Sequence, residues 1–513
     1  MNLLDLSSDN WSKKKIIGGN SFDELFQIEG TPLWWFLERF LAEHVLPAKI
    51  NTYKNFKEDK PLGLYEQKKL SLTAKLMAKY LLLNEKNKIR KRTSSEASLS
   101  KENNVMFITY TNHLSKEWKI DRLQNLIDDF KDDAGFNDFV LFVDPLSKNT
   151  YDLIKDKNNI YNYYDTAIHE KAKNSSRELF YKWKQLSEEH KQELITIGGK
   201  SAWSYFKHPL DFYFSKEFLY LLVLYYELLK KIVKERDIKA IVLTAVNSLA
   251  ERCAIAIAKN NHLLVYYIQH GIGEGVLSME LYSTNILVFG ERYKKNLIEL
   301  GCDKEKIQVT GPLMFDDLLK YKKSQLKSIK EVKNILVLTQ PFLELNIWNA
   351  EQKELFMEHL SRIFSLFEES KKTIKLHPLE DKEGYIYFLK DNGRVDIQKE
   401  ADTYELIDQA DLVIGIYSTT LCAATILNKP IILLDLFNNI NQQDWGGARY
   451  INKEISLYLI DTSQILDKIS RFLEGFNLKS NKARRDKYVK DNFYKVDGNG
   501  HKRIYNIIKK SLR

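Results

Sequence analysis

Between Lys375 and Asp435 the chain runs through three short apolar stretches, each bounded by residues that a buried strand uses poorly. The first reads KLHPLE and stops at His377-Pro378. The second, Leu412 to Ile416, ends at the hydroxyl triplet Ser418-Thr419-Thr420. The third, Ile431 to Asp435, follows Asn428-Lys429-Pro430. Proline has no amide to give a ladder, and Ser and Thr favour helix starts. This strand–loop–helix punctuation predicts a parallel α/β sheet, whose ligands bind at the carboxyl edge of the strands. Hydroxyls and backbone N–H groups at a helix start suit a phosphate. The segment therefore reads as a nucleotide or phosphate site with a histidine beside it.

The same alternation recurs along the chain. Strands are expected at 105–111, 139–145, 238–244, 263–269, 285–290 and 306–311. A second series is expected at 334–341, 373–378, 395–397, 411–416, 430–435 and 457–461. Strands separated by helical stretches indicate βαβ units, and 513 residues exceed one ordinary core. The expected organisation has five parts. Residues 1–104 form a helical N-terminal extension, with a charged, serine-rich linker at 85–103. Residues 105–316 form a Rossmann-like domain with a helical insertion at 146–237, and 317–332 a connector. Residues 333–480 form a second Rossmann-like domain, and 481–513 a basic helix broken at Gly498-Asn499-Gly500. In the extension, Trp34, Trp35, Leu37, Phe40 and Leu41 fall near helical spacing after Thr31-Pro32. That stripe reads as a core-facing helix, with a docking surface for lipid or a partner as the alternative.

Lys and Arg outnumber Asp and Glu by 78 to 69, a net +9. This favours anionic partners, and it equally serves solubility. Cys253, Cys302 and Cys422 are scattered, which fits a reducing compartment and excludes a cysteine zinc site on spacing. The N-terminal stretch lacks the apolar core of a signal peptide. The longest apolar run, Phe218 to Leu229, is far shorter than the roughly 20 residues of a spanning helix. A cytoplasmic protein is expected, with peripheral contact at the inner face of a membrane left open. Nucleic acid is not an expected partner.

Four motifs carry candidate chemistry. Ser418-Thr419-Thr420 reads either as a phosphate cradle or as an ordinary helix cap. His377 reads either as a donor to a leaving phosphate or as a histidine satisfied at the sheet edge. The dipeptide alone does not decide, because His208-Pro209 repeats it in a helical, aromatic context. The loop Gln269-His270-Gly271-Ile272-Gly273-Glu274-Gly275 supplies glycines for close backbone approach and two candidate general bases, His270 and Glu274. Thr310-Gly311-Pro312, with Phe315-Asp316, marks a turn with a weaker claim to a substrate contact. Asn247 and Ser248 read as caps of the helix through Arg252. Phosphate-loop, HExxH and DxD patterns are missing, so metal-independent chemistry is expected.

With these motifs on one chain, residues 235–470 resemble GT-B-fold transferases of surface-polysaccharide assembly. The groups in question are the capsule-polysaccharide transferases, including bacterial Kdo transferases and sialyltransferases, and the CDP-glycerol glycerophosphotransferases. The same C-terminal layout is seen in UDP-N-acetylglucosamine 2-epimerases. The resemblance implies a GT-B-like fold, two Rossmann-like domains facing a cleft. It implies that His377-Pro378 contacts the donor phosphate and that Ser418, Thr419 and Thr420 hold the same phosphate. It places the loop of Gln269, His270, Gly271 and Gly273 on the acceptor side, with His270 or Glu274 as base. The implied activity is inverting glycosyl transfer from a CMP- or UDP-linked sugar to a saccharide or lipid-linked acceptor, with no cofactor beyond the donor. A 2-epimerase-like nucleotide-sugar enzyme and a non-catalytic scaffold of polysaccharide assembly are the alternatives. Many GT-B enzymes place a glutamate just after the Ser/Thr motif to hold the donor ribose. Here that stretch is Leu421-Cys422-Ala423-Ala424, which leaves the nucleotide open.

Overall fold

The computed structural model describes residues 11–13, 19–37, 79–80, 82–83, 86–87, 89, 104–110, 114, 122–143, 158–194, 196–197, 200–201, 203–246, 248–269, 271, 285–299, 301–321, 331–344, 347–386, 395–416, 418–437, 453 and 455–513. Most of the linker at 85–103 and most of the connector lie outside these residues. The first six principal strands are β1 (Asn104–Thr109), β2 (Asn137–Phe142), β3 (Ile238–Leu243), β4 (Leu264–Ile268), β5 (Asn285–Val288) and β6 (Ile307–Val309). The next six are β7 (Asn334–Leu338), β8 (Lys371–Lys375), β9 (Val395–Gln398), β10 (Leu412–Gly415), β11 (Ile431–Leu434) and β12 (Leu457–Leu459). They make two six-stranded sheets, ordered β6-β5-β4-β3-β1-β2 and β9-β8-β7-β10-β11-β12. The protein is thus α/β with two successive Rossmann-type sheets. Every strand expected from an apolar run is present. Most end earlier than expected, because the polar and proline residues at their carboxyl ends leave the ladder and turn.

The chain divides into two compact units: residues 1–268 with 277–286 and 505–513, and residues 269–276 with 287–504. In the first unit, β1 is buried at every position, as parallel strands covered on both faces are. Helix α1 (Gln124–Asp132) links β1 to β2, which pair in parallel from Asn104↔Asn137 to Thr109↔Phe142. Helix α2 (Thr166–Gln185) packs on α3 (Lys216–Glu235), which also meets α4 (Leu249–Asn260). The longest apolar run of the chain lies inside α3 and is buried along its length. Its start is fixed by Ser215, whose hydroxyl accepts the Phe218 amide at 3.2 Å. Among the described residues no helix is long and apolar enough to cross a membrane.

Trp34 and Leu37 are buried and Trp35 half-buried, so this part of the stripe faces the core, while Phe40 and Leu41 lie outside the described residues. The helix begins at Leu33, because Thr31 and Pro32 pair with Gln27 and Ile28 in a two-residue hairpin. Ser248 caps α4 in a reciprocal box with Glu251, the reading the sequence favours, while Asn247 lies outside the described residues. Asp133 ends α1 and accepts hydrogen bonds from Tyr505 and Lys509. Those bonds hold its carboxyl well below the usual carboxylate range. Asp133 is thus tied to the C-terminal segment. Among the described residues no three His, Cys, Asp or Glu side chains gather so as to hold a metal.

In the second unit the sheet is parallel throughout, with β7 at its centre between β8 and β10. Its core joins Ile335, Val337, Ile374, Ile414 and Ile432 to the inner face of α5 (Ala350–Ser365) and to Ile469 and Leu473 of α8 (Ile465–Phe476). The intervening helices are α6 (Thr403–Gln409) and α7 (Thr420–Ile426). Two more follow, α9 (Lys479–Phe493) and α10 (Gly500–Leu512), interrupted as expected at the glycine break.

The Thr310-Gly311-Pro312 turn serves packing. Gly311 has φ +80°, and a Cβ there would meet the Arg503 guanidinium and the Lys495 carbonyl, both at 2.9 Å. Arg503 donates to the Thr310 carbonyl. Nearby, Asp316 accepts the Gly500 and His501 amides, each at 2.9 Å, and so caps α10 from far back in the chain. Burial raises its pKa even though both amides pull the other way. Asp316→Ala is expected to cost about 1–2 kcal/mol, the range of a lost helix cap. A shift in the urea midpoint with unchanged slope would register it.

Candidate functional site

The second sheet fixes where a ligand can bind. Strand order departs from β7 toward β8 and β9 on one side and toward β10, β11 and β12 on the other. A crevice at the carboxyl ends of the strands, at such a reversal point, is the standard binding place in open α/β sheets. The residues leaving those strands are Thr339 after β7, His377 after β8, and Ser418 to Thr420 after β10.

His377 is held by its own turn. Its amide donates to Glu380 Oε2 at 2.9 Å and to Thr339 Oγ1 at 3.2 Å. Glu380 is 1% exposed and also accepts the hydroxyls of Thr339 and Tyr385. The Thr339 amide donates to the Lys375 carbonyl at 3.2 Å. The ends of β7 and β8 are therefore stitched around one buried carboxylate. Burial pushes the Tyr385 hydroxyl far up, with the Glu380 carboxylate adding to the effect. Lys353 sits over the Tyr385 ring at 4.4 Å.

The tautomer of His377 follows from one bond. The Leu379 amide donates to His377 Nδ1 at 3.2 Å, so Nδ1 carries no proton. A neutral ring must then carry its proton on Nε2. Burial lowers the His377 pKa, and the nearby Lys375 ammonium lowers it further. Lys375 is itself lowered by burial and donates to the Lys399 and Leu376 carbonyls at 2.8 and 3.0 Å. At neutral pH His377 is thus a fixed, uncharged Nε2–H donor beside a cation.

A stability test follows. Below pH 6.5 an unfolded histidine binds a proton that the folded one refuses, so folding weakens as pH falls from 6.5 through the folded pKa. Against His377→Gln, the wild type should lose chemical stability over that window and not above it.

Glu380 is the residue the sequence reading passed over, although KLHPLE contains it. A carboxylate three residues past a histidine at a strand end was a usable signal, because a turn of that length can return a side chain to the backbone amide. Glu380→Ala removes the acceptor of the Tyr385 hydroxyl and one of two acceptors each of the Thr339 hydroxyl and the His377 amide, and is expected to cost about 1–3 kcal/mol. Glu380→Gln should cost less, and chemical denaturation of both variants would rank them.

The Ser/Thr loop differs from the expected cradle in one respect. Helix α7 begins at Thr420, and its first amides are already used. Thr420 N donates to Ser418 Oγ at 3.2 Å, Leu421 N to Ser418 O at 3.1 Å, and Cys422 N to Thr419 O at 3.0 Å. Ser418 Oγ also shares a 2.6 Å hydrogen bond with Thr420 Oγ1. An anion here would meet hydroxyls rather than amides. Gly415 lets the loop sit close, since a Cβ there would lie 3.2 Å from Leu421 Cδ2.

Gly271 comes against this loop: a Cβ on it would stand 3.1 Å from Thr419 Oγ1. Gln269 sets that approach. It is 2% exposed, its Nε2 donates to Gly271 O at 2.8 Å, and its Oε1 accepts the Phe289 amide at 2.9 Å. Both ends of its amide are committed to backbone, which makes Gln269 a support of the loop. His270, Gly273 and Glu274 lie outside the described residues. Pro378 is exposed and turns the chain after His377. The structure therefore places two groups of residues in the second unit at the edge the strand order selects: Thr339, His377 and Glu380 after β7 and β8, and Gly271 against Ser418 to Thr420 after β10.

No family profile and no curated protein matches the sequence. Among solved structures, the S. aureus MnaA–UDP co-structure is similar at 12% identity and TM-score 0.48, over 80% of this chain and 97% of that one. The UDP-GlcNAc 2-epimerase from Neisseria meningitidis bound to UDP-GlcNAc is similar at 11% and 0.48, over 80% and 100%. The wall teichoic acid polymerase TagF is similar at 12% and 0.44, over 86% and 98%. At such identities and TM-scores the likeness is one of loose layout and carries no inference about chemistry.

Proposed function

We propose that the protein is a nucleotide-sugar-dependent transferase of the GT-B kind, acting with inversion in surface-polysaccharide assembly. The observation that carries this reading is that His377 and the Ser418–Thr420 hydroxyls follow the carboxyl ends of β8 and β10, the two strands that flank β7 at the reversal point of a Rossmann-ordered sheet. A neutral histidine donor with a cation nearby and a hydroxyl cluster suit the oxygens of a leaving nucleotide phosphate. In this reading residues 333–480 hold the donor and residues 105–316 the acceptor.

His270 or Glu274 takes the proton of an acceptor hydroxyl, whose oxygen forms the new bond at the anomeric carbon. The bond from that carbon to the phosphate oxygen breaks, and its electron pair stays on the nucleotide phosphate, where His377 donates a hydrogen bond. No metal enters these steps. The donor is a CMP- or UDP-linked sugar, and the acceptor is a saccharide or a lipid-linked glycan.

A thermal-shift screen against CMP, CDP, UDP and GDP tests the donor half. A ligand at 100 times its dissociation constant stabilises the folded state by about 2.7 kcal/mol. Stabilisation by one nucleotide, lost in His377→Ala, supports the reading. Indifference to all four rejects it. Turnover of a nucleotide sugar with no acceptor present would instead indicate an epimerase or hydrolase on the same scaffold.

A further inference from the structure

At the amino edge of the second sheet, opposite the candidate site, lies a cavity of about 170 Å³. It is lined by Lys453, Ile455 and Ser456 before β12, by Phe472 and Phe476 of α8, and by Asn481, Arg484 and Arg485 of α9. Three of these side chains are cationic and none is acidic. Arg485 is 5% exposed and held in place from three directions. Its Nε donates to Asn428 Oδ1 at 2.8 Å, its Nη1 to Phe476 O at 2.6 Å, and its guanidinium lies 3.7 Å from the Phe476 ring centroid. Its Nη2 is buried and finds no acceptor among the described residues, and neither does the buried hydroxyl of Ser456.

We propose that this cavity binds a phosphate group, either free inorganic phosphate or a phosphomonoester borne by a lipid. Buried donors without acceptors are costly, and a buried cation without an anion is costlier still. Burial accordingly lowers the Arg485 pKa, opposed only by the neighbouring Asp486. A tetrahedral oxyanion supplies both missing acceptors at once, and an arginine whose orientation is already fixed is the side chain best matched to it. The cavity is smaller than the ~300 Å³ at which pockets for whole organic ligands begin. It would take a phosphate headgroup and would not take a nucleotide. None of its lining residues belongs to the candidate active site, so this inference stands whether or not the transferase reading does.

The test is a thermal-shift titration of the full chain with inorganic phosphate, against chloride at equal ionic strength. Phosphate should raise the melting temperature of the wild type and of His377→Ala alike. In Ser456→Ala, a small change that keeps the packing, affinity should fall about tenfold or more, the effect of one hydrogen bond to a charged group. In Arg485→Lys, which keeps the charge and loses the fork, the shift should vanish. No response in the wild type overturns the proposal. So does an equal response in wild type, Ser456→Ala and Arg485→Lys, or a response lost only in His377→Ala. Co-sedimentation with phosphatidylcholine vesicles carrying phosphatidic acid, lost in Ser456→Ala, would identify the lipid-borne group. A response to inorganic phosphate without vesicle capture would identify the free anion.

Discussion

Replacing His377 with alanine is expected to lower transfer by about 10²–10³-fold, the usual cost of one preorganised donor to a developing oxyanion. The same substitution should weaken nucleotide binding. The reason is local. Leu379 holds Nδ1 and leaves Nε2–H as the group on offer, and burial with Lys375 nearby keeps the ring neutral. The turn itself should survive, because it is built by the His377 amide on Glu380 and Thr339 and does not depend on the imidazole. Circular dichroism and the urea midpoint should therefore change little while turnover collapses. Steady-state rates with a range of nucleotide sugars, beside nucleotide binding by calorimetry, would separate the two effects. Full activity in the variant would sink the assignment of His377.

The largest stability effect is expected at Gly290. It follows β5, and a Cβ there would lie 2.4 Å from the carbonyl carbon and oxygen of Asn492 and 2.6 Å from the carbonyl oxygen of Asp491. These are backbone atoms near the end of α9, so no side chain can rotate away. Overpacking a tight site typically costs about 1–3 kcal/mol, and a clash with backbone belongs at the top of that range or above it. Gly290→Ala should thus unfold well before the wild type in urea. An unchanged midpoint would mean that α9 does not pack on the β5 end as described. Gly301→Ala provides the contrast. Gly301 has φ +97° but nothing within 4 Å of its would-be Cβ, so only conformational strain is added, on the order of 1 kcal/mol.

The strands were legible because buried parallel strands need nearly continuous apolar runs, and their ends were legible because His-Pro, Ser-Thr-Thr and Asn-Lys-Pro cannot continue a ladder. Sheet order was not legible. Adjacency is set by side-chain packing between distant segments, and neither period nor punctuation encodes that β7 lies between β8 and β10. The site was half legible for the same reason. His377 and Ser418 announce themselves by position, whereas Glu380 works through hydrogen bonds to Thr339 and Tyr385 that only the folded turn creates. Gln269 looked like part of a ligand loop because polar residues beside glycines invite that reading. Its amide proves to be spent on backbone at Gly271 and Phe289. The amides of α7 misled in the opposite way: a helix start promises free donors, and here Ser418 and Thr419 already occupy them.

The cap that Asp316 places on Gly500 and His501 has a consequence for synthesis. A ribosome extends a chain at about 5–20 residues per second, so the carboxylate is made many seconds before its donors. During that interval Asp316 has no partner for the burial it will undergo, and Thr310 waits likewise for Arg503. The second unit can form its central strands on the ribosome, but it cannot close this corner until Gly500, His501 and Arg503 have emerged. A stall or truncation before Gly500 should therefore leave a nascent protein with an intact β7–β10 ladder and an exposed, protease-sensitive edge near residue 316.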